Sequence, residues 1–314
     1  MLEQQLLIIG GKGGVGRTTV AAALGTALAR SGRRTLLAHV RCKQRLSTVL
    51  GCPQEIGHDI SAVEPNLWAV NMDPQAAIRE MGLLTLKFRT VYRMVLENRM
   101  VRSFLRAVPA LEEYSMVGKA WFHTTETLSD GQPRFETVIF DGPATGHLVS
   151  MLQIPQIILE SVPDGPLTSD ARKAQALLAD PARACLWVVT LAEEMAVSEA
   201  LDLYRQATDS LHIAVNRIVV NGLYPADLVR RTETQELLGN LEKETLSSEL
   251  SAMVTSTGVL AARRRVNDLY LDRLEARLPV PRIELPHFFV PELGPSEISE
   301  MAARMRATLM EHIQ

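Results

Sequence analysis

Gly10-Gly11-Lys12-Gly13-Gly14-Val15-Gly16-Arg17-Thr18-Thr19 lies between the apolar run Leu6-Leu7-Ile8-Ile9 and a Pro-free stretch, Thr18 to Arg30, rich in Ala and Leu. The run reads as a strand buried on both faces. The stretch reads as a helix that stops at Ser31-Gly32. Strand, glycine loop and helix start are the parts of a phosphate cradle. Glycines let backbone N–H groups turn toward an anion, and the helix N-terminus adds partial positive charge. In this pattern Gly11, Gly13, Gly14, Val15, Gly16 and Thr19 hold phosphates, and the Thr18 hydroxyl is placed for Mg²⁺. The phosphate-binding pattern G-x-x-x-x-G-K-[ST] has Lys where this chain has Arg17. Arg keeps the charge but exchanges a compact ammonium for a broad planar fork.

The segments that follow alternate between strand and helix. Thr35 to Val40, Asn66 to Asn71, Phe135 to Asp141, Cys185 to Leu191, Val215 to Asn221 and Pro281 to Glu284 read as strands. Helical patterns occupy about 74–126, Ser198 to Ser210 and the stretch from Ser296 onward. Such alternation predicts an α/β fold, a doubly wound, mostly parallel sheet flanked by helices, in one domain over 1–314 with a helical insertion at about 74–126. Ligands of these sheets bind at the C-terminal strand ends, where the glycine loop, Arg41 and Asp141 all fall.

Bulk properties narrow the function classes. The chain has 314 residues, enough to bury a sizeable core, and a net charge of −3, which argues against general nucleic-acid binding. No apolar run reaches bilayer length. Cys42, Cys52 and Cys185 are irregularly spaced, which suits free thiols in a reducing compartment, and no leader is expected before the first strand. A cytoplasmic protein is expected.

Asp141-Gly142-Pro143-Ala144-Thr145-Gly146-His147 follows a buried strand directly. A carboxylate there can hold Mg²⁺, and the two glycines would let the loop respond to a γ-phosphate. A plain strand-to-helix turn capped by Asp is the simpler alternative.

Together with Gly11 to Thr19 and the later Leu152-Gln153-Ile154-Pro155, this segment resembles the ArsA/Get3 family of P-loop ATPases, related to the MinD/ParA group. The Thr145-Gly146-His147 step distinguishes ArsA/Get3 from MinD/ParA. The resemblance implies ATP or ADP with Mg²⁺, held by Thr18 and Asp141. Lys12, the deviant-loop lysine, would reach a partner's phosphates, giving Lys12, Arg17 and Asp141 as the catalytic set. Gly142, Thr145, Gly146 and His147 would form a switch. Pro109 to Glu113 is similar to another family segment. Asn221 would bond the base, and Val290 and Pro291 would cover it, although each alone is an ordinary turn residue.

Two departures stand out. The position where relatives carry a water-orienting Asp in switch I is Arg41 here, and a cation cannot orient water as a carboxylate does. Arg41 would instead suit a charge stabiliser for a partner's site. With Arg17, this predicts impaired hydrolysis. The family's zinc-binding Cys-x-x-Cys pair is absent, and no metalloid site is formed by the three cysteines.

The expected molecule is a nucleotide-binding dimer, a homodimer or a heterodimer with a paralogous ATPase, which couples nucleotide state to a helical layer. The alternative is a non-hydrolysing regulatory or scaffolding subunit paired with a competent paralogue. The stretch Met81 to Val108, Met-bearing and basic, would suit a hydrophobic-helix client or an anionic membrane surface, or simply pack on its own chain.

Overall fold

The computed structural model of the chain describes residues 3–40, 45–73, 111–241 and 247–311. β1 (Leu6–Gly11) has every residue buried. It pairs in parallel with β5 (Thr137–Asp141) on one side and β6 (Ala184–Leu191) on the other. A strand covered on both edges and both faces leaves no place for a polar side chain, which is why the apolar run before the glycines continues without alternation.

The sheet runs β3 (Ser61–Glu64), β4 (Leu67–Met72), β2 (Thr35–Val40), β5, β1, β6, β7 (Val215–Leu223), β8 (Arg282–Pro286). All these pairings are parallel except that of β3 with β4. The mostly parallel α/β sheet is as expected. The antiparallel edge β3 was not anticipated, because Ser61-Ala62-Val63-Glu64 carries too little apolar character to signal a strand.

One face is covered by α1 (Arg17–Arg30), α2 (Arg45–Leu50) and α10 (Pro295–Glu311). The other carries α3 (Leu111–Thr125), α4 (Thr145–Ser161), α5 (Pro166–Ala179), α6 (Glu194–Arg205) and α9 (Ser248–Glu275). α7 (Asp227–Arg230) and α8 (Thr232–Leu241) pack near α9. α1 buries Thr19 to Ala29 without interruption, since it is wedged between the sheet and α10. That explains its small-residue composition: Ala and Gly let the helix approach the strands on one side and α10 on the other.

Element bounds shifted by a few residues. The predicted helix at Ser198 starts at Glu194 and ends in a π-helical turn, Gln206–Ser210. Of the predicted helical insertion, α3 is observed, while 74–110 lies outside the described residues, as do Arg41 and Cys42.

Candidate functional site

The glycine loop connects β1 to α1 at the C-terminal edge of the sheet. Gly11 ends β1 so close to β6 that a Cβ would overlap the Val189 carbonyl. Gly16 sits at φ 89°, ψ 27°, a left-handed conformation that costs an L residue energy, and a Cβ there would run into Asn221 Nδ2. Asn221 in turn donates from Nδ2 to the Val15 carbonyl at 3.0 Å. The end of β7 is thereby tied to the loop across the sheet.

A cavity of about 590 Å³ opens here, a size typical of small-molecule sites. Gly14, Val15, Gly16 and Thr19 form one wall, Asn221 and Gly222 another, and Val290 and Pro291 the rim. Seven sequence-predicted positions from three distant segments therefore meet in one place. Thr48 and Val49 of α2, with His287 and Phe288 after β8, are also among the lining and were missed, because no short motif marks them. Thr19 is buried, and its hydroxyl has no hydrogen-bond partner among the described residues. An orphaned donor facing a polar cavity is what an anion site requires.

Lys12, Arg17 and Asp141 have protein partners. Lys12 Nζ pairs with Glu199 on α6. Arg17 Nη1 donates to the Gly142 carbonyl at 2.8 Å, bridging the glycine loop to the segment after β5. Burial pulls the Arg17 guanidinium below its usual range, and the Asp141 charge opposes that pull. Asp141 is 1% exposed, and its Oδ2 lies in ion-pairing contact with His39 Nδ1. His39 and Asp141 face each other because β2 and β5 run parallel with those two residues in register. The register of two strands, invisible in one sequence, gives His39 this partner.

Thr18, half-buried in the first turn of α1, and Asp141 are the hard oxygen donors that Mg²⁺ prefers. Around Asp141, however, an imidazole already occupies one carboxylate oxygen and the Arg17 charge acts on the same group. The donor types fit a divalent ion; the surroundings of the carboxylate do not. Thr145 opens α4 with a buried hydroxyl that has no hydrogen-bond partner among the described residues. Gly146 and His147 are exposed on the first turn, and none of the three lines the cavity. Gly13 is exposed at the tip of the loop. Among the described residues no cluster of His, Cys, Asp and Glu could hold a metal on its own, and no helix is long and apolar enough to cross a membrane.

A mostly parallel sheet whose first strand leads through a glycine loop into a buried helix, with the cavity over that loop, defines a P-loop NTPase. Residues 4–163 match the family model described as anion-transporting ATPase, and the chain belongs to that ArsA-type family. It is 24% identical over 298 residues to ATPase BagA of Mycobacterium tuberculosis, covering 90% of this chain and 87% of that one. Arsenical pump-driving ATPase of Escherichia coli is 26% identical over 295 residues, 87% of this chain but 49% of its own. ATPase ASNA1 homolog 1 of Paramecium tetraurelia is 28% identical over 163 residues, 50% of this chain and 46% of its own.

Proposed function

We propose that this chain binds ATP or ADP in the cavity over the glycine loop, as one cytoplasmic unit spanning 1–314, and that nucleotide controls its association with a second P-loop chain. The observation that carries the reading is the convergence of Gly14, Gly16 and Thr19 with Asn221, Val290 and Pro291 around one space. The loop N–H groups and the start of α1 would bind the phosphates. Val290 and Pro291 would shelter the base, and Asn221, already bonded to Val15, would hold the base side and the phosphate side in fixed relation. Arg17 would sense the phosphates and, through Gly142, pass their presence to Thr145, Gly146 and His147 at the start of α4. Work would come from the different affinities of the two nucleotide states for a partner or for a hydrophobic-helix client or membrane surface at 81–108. Magnesium at Thr18 and Asp141 is the family expectation; hydrolysis, where it occurs, would be in-line attack of water, served chiefly by positioning and charge.

A second reading is a non-hydrolysing subunit that pairs with a competent paralogue. It is favoured by Arg17, standing where the phosphate-binding pattern has lysine, and by Arg41 in place of the water-orienting carboxylate. Titration with a fluorescent ATP analogue, with turnover measured on the same sample, tests both. Saturable binding weakened tenfold or more by Asn221→Ala supports the nucleotide site. No binding refutes it, and tight binding without turnover selects the second reading.

A further inference from the structure

Asp141 is almost fully buried, and a buried carboxylate must be compensated by cations or hydrogen bonds. In this chain two side chains provide that compensation before any ion arrives. His39 meets Oδ2 from the neighbouring strand, a contact fixed by the parallel register of β2 and β5. Arg17, at the first helical position of α1, donates to the next carbonyl, Gly142, and its charge acts on the same carboxylate without an ion-pair contact. A divalent ion at Asp141 Oδ2 would have to displace the imidazole, and at either oxygen it would meet the field of a guanidinium that cannot give up its charge.

We propose that Arg17 and His39 take the place of the divalent cation at Asp141, so that this site receives its nucleotide as the free anion, without magnesium. The inference rests on reading the cavity as a nucleotide site and assigns that site a ligand form. Arg17 spends one of its five N–H donors on Gly142, which leaves others for a phosphate oxygen. The buried Thr19 hydroxyl and the N-terminus of α1 add neutral donors to the same anion. Lys where Arg17 stands would carry the charge at a point, without a fork able to hold a carbonyl and a phosphate together.

The test is a titration of the purified full chain with a fluorescent ATP analogue in excess Mg²⁺ and again in EDTA. Mn²⁺ binding to the protein–nucleotide mixture is followed in parallel by electron paramagnetic resonance. The expected result is the same affinity within about twofold in both buffers, and no Mn²⁺ held beyond what free nucleotide holds. His39→Ser combined with Arg17→Lys uncovers Asp141 and is expected to create a preference for Mg²⁺ of about tenfold or more. The wild-type comparison decides the matter even where that variant does not fold. Wild-type affinity rising tenfold or more with Mg²⁺ overturns the inference and leaves the nucleotide site standing; no binding in either buffer overturns both.

Discussion

Lys12 is spoken for within its own chain, and that would carry a measurable cost for any association that needs it. Its partner Glu199 lies on α6, and both side chains remain about one-third exposed, 33% and 34%. Solvent screens such a pair, so it is worth about 1 kcal/mol at most. If Lys12 must leave Glu199 to reach the phosphates of a second protomer, each of two lysines gives up that amount. A symmetric dimer then loses about 2 kcal/mol, or ~30-fold in dissociation constant. Glu199→Gln keeps the shape and removes the charge, so it is expected to tighten nucleotide-dependent association by up to that factor. Sedimentation velocity over a concentration series, with ATP and without, reads it directly. The gain should shrink at high salt, where the pair in the parent protein is already weakened. Unchanged association would show that Lys12 does not pass from Glu199 to a partner. Weaker association would show that Glu199 serves the interface itself, and the reasoning would be wrong in sign.

Two further outcomes follow from the geometry. Gly16→Ala forces an L residue into a left-handed conformation, costing about 1–2 kcal/mol, and pushes Asn221 off Val15, costing about 1 more. Urea unfolding should show the sum, whereas Asn221→Ala should show only the smaller part; equal losses in the two variants would remove the crowding argument. His123 is buried, and burial lowers its pKa although Nδ1 contacts Glu126 Oε2 at 2.8 Å. The unfolded chain, with the ordinary value near 6.5, then takes up the proton more readily. The His123 contribution to stability is therefore intact above that value and is lost as pH falls below it. Urea midpoints from about pH 7.5 down to about pH 5 should fall less steeply for His123→Gln than for the parent, and parallel slopes would exclude His123 as the source.

The fold was largely legible because burial on both faces leaves a strong mark. Leu6 to Ile9 is an unbroken apolar run, Thr35 to Val40 and Cys185 to Leu191 are apolar but for Thr35, His39 and Thr190, and each became a strand of the sheet's interior. β3 was not legible for the opposite reason: an edge strand paired on one side, with only intermediate or exposed residues, needs no apolar run. The bend of α6 into a π-helical turn at Gln206–Ser210 likewise has no signature in spacing, since five polar or small residues satisfy either helix.

The site divides along the same line. Residues that work through backbone conformation were readable, because only glycine tolerates Gly16's φ and only a residue without Cβ fits between β1 and β6 at Gly11. Residues that work through a partner were not. Nothing near Lys12 announces Glu199, 187 positions away, and nothing near Asp141 announces His39. Both pairings are set by strand and helix placement. The substitutions visible in the sequence, Arg for Lys at 17 and Arg for Asp at 41, looked like losses from an ATPase site. With His39 at Asp141, the change at 17 reads differently. On the reading proposed above, Arg17 and His39 together set a permanent charge and an imidazole where a carboxylate would otherwise await a metal. A site decayed by drift would leave Asp141 buried and uncompensated, a costly arrangement. Here the carboxylate meets His39 from β2 and the Arg17 charge from α1, which is what the proposed anion-binding role, rather than a relic, would require.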